Sequence, residues 1–245
     1  LPVMGVSVGS SNVCAVLMDG NARCWGSGSY GMLGGSSLNT NIDFGENASS
    51  VSSISSGDDH TCAIMENGSV YCWGSNTAGQ LGTGTGCSDS GCGEYADDGF
   101  GLNDAYDYAT SSPSFVDIGN NTSAIEIHAG RQTTCALLEN HSVYCWGSAE
   151  GNFGGDGASS GYPEYVDMGG NVTDLGLGNG VACFILENSS VYCWPAHMEE
   201  GGWVPGDGLV ELESNATPVD IAVGQQKACV SLANGTAQCW GIQTG

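Results

Sequence analysis

The chain is almost without basic residues. Its 245 residues hold 27 acidic side chains against Arg23, Arg131 and Lys227, a formal net charge of −24. Binding to nucleic acid draws on Lys and Arg to displace counterions from phosphate, so that partner class is excluded. Attraction to anionic membrane surfaces fails on the same ground. No apolar run is long enough to span a bilayer as a helix. A 3.6-residue apolar period is nowhere sustained, and 41 glycines interrupt the candidates. No signal peptide is visible, and an opening at Leu1 reads as a processed or partial form. The acidity itself favours solubility and separation from neighbours, with cation binding as a second use.

What is present is repetition. Cys62-Ala-Ile-Met-Glu-Asn-Gly-Ser-Val-Tyr-Cys72-Trp-Gly74 recurs in outline at 14–26, 135–147, 183–195 and 229–241. In each copy nine residues separate two cysteines and a Trp follows the second. Two β-rich runs around an Asn/Asp-Gly type turn predict a β-hairpin. Residues opposed across an antiparallel ladder lie close enough for a disulfide, so the spacing predicts the staples Cys14–Cys24, Cys62–Cys72, Cys135–Cys145, Cys183–Cys193 and Cys229–Cys239. Zinc ligands usually stand two to four residues apart, and nine fits poorly. Disulfides in turn point to an oxidising compartment, hence a secreted or cell-surface protein.

Each hairpin follows a short strand ending in Gly, such as Leu1–Gly9, Ser53–Gly57 or Thr217–Gly224. After each Trp comes a Gly-rich loop, then often a further strand, as at Ile42–Phe44, Phe115–Ile118 and Tyr165–Met168. About four strands per repeat is the content of a propeller blade. The expected fold is therefore all-β, a β-propeller of about five recognisable four-stranded blades in a single domain over 1–245. An acidic insertion at about 83–112 lengthens the second repeat and carries Cys87 and Cys92, spaced to close a small loop as a sixth disulfide.

The run from His60-Thr-Cys through Tyr-Cys-Trp-Gly to Gly79-Gln-Leu-Gly82 resembles the repeat of the regulator-of-chromosome-condensation family. Gly31-Met-Leu-Gly34 keeps the tail of that motif, and Gly151-Asn-Phe-Gly154 keeps less of it. The resemblance implies a propeller whose blades each contain the stapled hairpin. Family members usually have seven blades, whereas five hairpins are present here. Their chromatin binding and nucleotide exchange do not carry over, because this acidic chain lacks matching basic surfaces. Closure of the propeller is the weak joint. Either five blades close imperfectly, or a longer chain or neighbouring subunit completes them, and an unfinished edge is a template for self-association into a ring or filament.

Asn47, Asn67, Asn120, Asn121, Asn140, Asn171, Asn188, Asn215 and Asn234 stand in N-glycosylation sequons. Asn67, Asn140, Asn188 and Asn234 share the hairpin tip, and the others precede a repeat's first strand. Asn is good turn chemistry by itself. Yet His141 and Ser189 give up the turn glycine while Ser142 and Ser190 keep the sequon, which favours attached N-glycans.

Other candidates are thinner. The acidic insertion, with Asp97-Asp-Gly-Phe-Gly-Leu-Asn-Asp104, could hold Ca2+, but it lacks EF-hand spacing and a solvated surface explains it better; no other cofactor is implied. Gly26-Ser-Gly-Ser-Tyr-Gly31 fits a dinucleotide pattern, but no helix follows and the repeat accounts for it. His60 reads as a structural hydrogen-bonding residue, and no nucleophile elbow or zincin pattern occurs. Trp25, Trp73, Trp146, Trp194 and Trp240 recur as blade packing; Trp203 alone lies outside, in a Gly/Pro loop where it could contact a partner or pack locally. The expected function is non-enzymatic: a secreted glycoprotein acting as a structural or interaction module within an extracellular assembly, with protein partners, self-association among them. A receptor-like or inhibitory propeller and an extracellular hydrolase are the alternatives.

Overall fold

Five short turns organise the molecule, and each is written in four residues. In the computed structural model, which describes residues 2–35, 40–46, 48–84, 109–119, 122–148, 160–178, 181–194, 208–213, 216–224 and 227–241, each hairpin tip is a β-turn closed by a left-handed residue. At the second tip Gly68 N–H donates to Met65 O (2.9 Å) and Met65 N–H to Ser69 O (2.9 Å). This is the type I turn plus bulge of three-residue hairpin loops. Asn67 Oδ1 accepts the Ser69 N–H at 3.1 Å and fixes the turn from the side. In the first repeat Asp19 does the same for the Asn21 N–H, at 3.1 Å. That bond holds the Asp19 carboxyl below its ordinary range.

From these turns follow five antiparallel sheets, each with its strands in chain order. Blade 1 comprises β1 (Val3–Val8), β2 (Asn12–Leu17) and β3 (Ala22–Gly26). Blade 2 comprises β4 (Val51–Ser56), β5 (His60–Met65), β6 (Val70–Gly74) and β7 (Thr110–Val116). Blade 3 comprises β8 (Ala124–Ala129), β9 (Thr133–Leu138), β10 (Val143–Gly147) and β11 (Ser160–Val166). Blade 4 comprises β12 (Val172–Leu177), β13 (Ala182–Leu186), β14 (Val191–Trp194) and β15 (Leu209–Val210). Blade 5 comprises β16 (Pro218–Val223), β17 (Lys227–Leu232) and β18 (Ala237–Gly241).

The two end blades thus show three strands each among the described residues. The fourth strand expected at 42–44 does not form. Ile42 N–H reaches Ala22 O at 2.9 Å, but the chain then turns as Asp43 Oδ1 takes the Gly45 N–H at 2.9 Å. The same Asp-Xaa-Gly turn ends β7 at Asp117–Gly119 and β11 at Asp167–Gly169, where the preceding residues do pair.

All five hairpin cysteine pairs stand directly opposite in register and are bonded, with Cα atoms 4.0–4.1 Å apart. Cys87 and Cys92, with most of the acidic insertion, lie outside the described residues. Strand alternation sends each disulfide to the face that meets the following blade, and the Trp to the face that meets the preceding one. Between blades 1 and 2, Cys14, Val16 and Cys24 pack on Val51, Ile54, Ala63, Met65 and Trp73. Cys62, Ile64 and Cys72 pack likewise on Ile127, Leu138 and Trp146 of blade 3. The same pairing recurs at the next two junctions. Fully burying one such aliphatic side chain contributes about 1.5–3 kcal/mol, so the four seams carry the fold.

The motif glycines have a packing reason. Trp73 Nε1 donates to Met32 O and Trp146 Nε1 to Gln80 O, both at 2.9 Å, so each indole reaches the preceding blade's loop. Gly34 and Gly82 hold the left-handed conformation with these indoles against them, and a Cβ on either would meet the indole nitrogen within 3 Å. Asn76 and Gln80 are buried and tie the second loop to itself, Asn76 Oδ1 taking the Leu81 N–H (3.0 Å) and Gln80 Oε1 the Ala78 N–H (2.8 Å).

Candidate interaction surfaces

Three regions carry polar or uncovered groups. The first is the face bearing the hairpin tips. Asn140 Oδ1 accepts both the Ser142 N–H (3.1 Å) and its hydroxyl (2.6 Å), and Asn234 Oδ1 does so with Thr236 (3.0 and 2.7 Å). Asn188 takes the Ser190 N–H at 2.9 Å. Left-handed φ values of 66° at His141 and 67° at Ser189 match the 78° of Gly68, so these two residues carry backbone strain that glycine would remove. Asn171 lies on the same face, because Glu187 N–H beside the fourth tip donates to Asn171 O at 2.9 Å. Its own amide is engaged, Nδ2 donating to Glu187 Oε2 at 3.0 Å. The structure therefore brings five sequon asparagines to one face, the side where each repeat's first strand begins. Asn47, Asn120, Asn121 and Asn215 lie outside the described residues, as does Trp203.

The second region is the wall formed by the innermost strands β1, β4, β8, β12 and β16. Side chains at their third and fifth positions are Gly5 and Ser7, Ser53 and Ser55, Glu126 and His128, Asp174 and Gly176, and Asp220 and Ala222. Serine hydroxyls bridge neighbouring blades: Ser56 N–H donates to Ser7 Oγ (2.8 Å) and Ala129 N–H to Ser55 Oγ (2.9 Å). Between blades 4 and 5 a carboxylate takes that role. Asp174 Oδ2 accepts the Ile221 N–H at 2.7 Å and Oδ1 its neighbour Leu175 N–H at 3.0 Å. Burial lifts Asp174 to a pKa of about 6, with Glu126 and Asp220 adding repulsion and His128 opposing it. His128 Nε2 stands 3.9 Å from Glu126 Oε2. This acidic wall was not foreseen, although the repeat alignment places Glu126, Asp174 and Asp220 at one strand position.

His60 is the structural residue its motif position suggested. It is fully buried, and burial drives its pKa down to about 3, so the ring is neutral. Thr134 Oγ1 donates its single proton to Gln80 O (2.8 Å), which makes His60 Nε2 the donor to Thr134 at 2.8 Å. Among the described residues no group of three His, Cys, Asp or Glu side chains is placed to hold a metal ion. No described helix is long and apolar enough to cross a membrane.

The third region is the pair of end faces. In blades 2 to 5 the fourth residue of the inner strand is buried: Ile54, Ile127, Leu175 and Ile221 are 9% exposed or less. Its counterpart in blade 1, Val6, is 61% exposed. At the other end Cys239 is exposed, whereas Cys14, Cys62, Cys135 and Cys183 are 0% exposed under a following blade. A row of close backbone contacts runs Gly9–Gly57–Gly130–Gly178–Gly224, each glycine set against the next one's carbonyl with no room for a Cβ. Gly224 has no such neighbour, and only Lys227 O lies within 4 Å of a Cβ built on it. Among the described residues no buried cluster joins blade 5 to blade 1. The five blades, as far as they are described, form an open arc.

Residues 51–80 and 124–154 match one profile described as the regulator of chromosome condensation (RCC1) repeat, and 67–137 match a second of the same description. No curated protein sequence matches the chain. Among solved structures it is similar to human WBSCR16, with a TM-score of 0.77, 14% identity, and coverage of 98% of this chain and 61% of that one. For Prp20p of Saccharomyces cerevisiae the values are 0.70, 16%, 98% and 58%. For the ectodomain of receptor kinase CR4 from Physcomitrella patens they are 0.60, 19%, 99% and 53%. The chain thus spans about three fifths of the human and yeast proteins it resembles. At these identities the likeness is one of fold.

Proposed function

The chain being a β-propeller of the regulator-of-chromosome-condensation repeat type, we propose that it is a secreted, N-glycosylated, non-enzymatic interaction module, one subunit of an extracellular or cell-surface assembly. One observation carries the reading: every blade is stapled by a cross-strand disulfide, a device that persists in oxidising compartments and is rare in the cytosol. The sequons support it further. Those described fall on a single face, and His141 and Ser189 tolerate strained backbone beside sequon asparagines where a glycine would relieve it. Residues 1–245 act in this reading as one propeller unit.

A protein is the favoured partner. Prp20p binds Gsp1p and histones, and a chain with three basic residues against 27 acidic ones has little to offer nucleic acid. The reading is tested on native material by intact mass before and after enzymatic removal of N-glycans, with non-reducing peptide mapping of the cysteines. Sugar at Asn67, Asn140, Asn188 or Asn234 together with oxidised pairs is the expected result. An unmodified chain with free thiols would sink it.

A further inference from the structure

We infer that the sugar carried by Asn67 folds back into the cleft between blades 2 and 3, which makes this cleft a binding site for the chain's own N-linked N-acetylglucosamine. The inference rests on reading the sequons as glycosylated, and goes beyond it by giving one glycan a defined place on the protein.

The seam itself builds the cleft. Ser52, Glu66 and Asn67 of blade 2 face Ser123, Ile125 and Glu139 of blade 3 across a cavity of about 310 Å³. Small-molecule sites run from about 300 to 1,000 Å³, so the space suits a sugar ring better than a protein loop. Backbone bonds hold its walls: Ala124 N–H donates to Gly68 O at 3.1 Å, and Glu139 N–H to Ser123 O at 2.9 Å. Asn67 Oδ1 is fixed by the Ser69 N–H at 3.1 Å. Nδ2, the atom that carries sugar, therefore stands on the side of the amide away from the turn.

The lining has the character that a sugar needs. Glu66 and Glu139 are exposed and offer carboxylates to hydroxyl donors, and bonds to an ionised acceptor are among the stronger ones. Ile125, 47% exposed, gives the C–H face of the ring or its acetamido methyl an apolar surface to cover. A neutral ligand also escapes the repulsion that a net charge of −24 imposes on an acidic one. Attachment to a residue of the cleft's own rim does the rest. A short tether sets an effective concentration on the order of millimolar, which populates a contact too weak for free sugar.

The other seams show what sets this one apart. Between blades 3 and 4, His141 and Asn171 take the places of Gly68 and Ser123. His141 Nδ1 donates to Val172 O at 3.0 Å and Asn171 Nδ2 to Glu187 Oε2 at 3.0 Å, so two longer, engaged side chains replace the two small ones. Between blades 4 and 5, Ala233 stands in the place of Glu139 and one carboxylate is lost. Between blades 1 and 2 the tip residue is Asp19, which accepts no sugar. Among the described residues, a sequon tip, two small neighbours and two glutamates meet at the blade 2–3 seam alone.

The test treats the folded, glycosylated 245-residue chain with a peptide N-glycosidase and follows release site by site by peptide mass. Sugar at Asn67 should leave several-fold more slowly than sugar at Asn140 or Asn234, and at a matching rate once the chain is unfolded. Ile125→Ser and Glu139→Ala, both at exposed positions, should each speed release at Asn67 and leave Asn234 unchanged. Release at Asn67 as fast as at Asn140, or slow release that neither substitution speeds, overturns the inference and leaves the glycoprotein reading intact. So does a bare Asn67 beside an occupied Asn140. A chain with no sugar at any sequon overturns both.

Discussion

Replacing Gly82 with alanine tests whether the repeat's terminal glycine is there for its backbone or for its neighbour. Gly82 has φ +70°, and a Cβ on it would meet Trp146 Nε1 at 2.7 Å and Val116 Cγ1 at 2.9 Å. Gly169 has φ +68° with nothing within 4 Å of its Cβ position, so it isolates the backbone cost. That cost is about 1–2 kcal/mol for an L-residue held left-handed. At Gly82 two further losses are added. The indole must retreat from a site where Trp146 is 2% exposed, an overpacking cost of about 1–3 kcal/mol, and its 2.9 Å bond to Gln80 O weakens, worth about 1 kcal/mol. Gly82→Ala should therefore destabilise by about 3–5 kcal/mol and Gly169→Ala by about 1–2, read as midpoint shifts in urea unfolding followed by Trp fluorescence. Combining Gly82→Ala with Trp146→Phe should recover about 1–2 kcal/mol of the sum, because the displaced indole nitrogen is then absent. Equal losses at Gly82 and Gly169, or strict additivity with Trp146→Phe, would refute the packing account.

Opposite pH trends are expected from half-buried Asp174 and fully buried His60. Asp174 titrates near 6 in the fold against 3.8 when unperturbed, so its stabilising contribution is full in acid and is lost as pH rises through 6. The melting temperature of Asp174→Asn relative to the wild type should accordingly climb between about pH 4 and pH 7. His60 is depressed from 6.5 to about 3, so its contribution is full above 6.5 and falls with acidification. His60→Gln, which keeps a donor for Thr134, should gain on the wild type as pH drops over the same range; a shared slope for the two variants would contradict both assignments. Ser189→Gly relieves the φ of 67° while keeping the sequon at Asn188, and should raise stability by about 1 kcal/mol in thermal melts. His141→Gly should gain less, since the ring's 3.0 Å contact with Val172 O is lost; a larger gain than Ser189→Gly would show that this contact contributes nothing.

The hairpins, their staples and the blade pattern were legible because each is decided within about a dozen residues. Asn67 turns the chain, Cys62 and Cys72 fall opposite as a result, and Trp73 follows on the other face. Ile42–Phe44 shows where such locality ends. Its Asp43-Xaa-Gly45 turn is the one that ends β7 and β11, and Ile42 meets Ala22 as Val116 meets Val70, yet no strand runs through 42–44. The acidic wall depends on which blades adjoin, so Asp174 meets Ile221 across 47 residues. Val6 looked like any inner-strand valine. Its 61% exposure depends on which blade packs there, a long-range fact that no local pattern carries.

The placement of the staples gives the molecule a direction of undoing. Each disulfide in blades 1 to 4 is roofed by the blade that follows, with Cys14, Cys62, Cys135 and Cys183 at 0% exposure. A reducing agent reaches none of these four bonds until the blade over it loosens. The Cys183–Cys193 bond comes within reach after the fifth blade loosens, and so on inward toward the first. Covalent protection is thus handed from blade to blade in one direction, each of these four staples guarded by the blade after it.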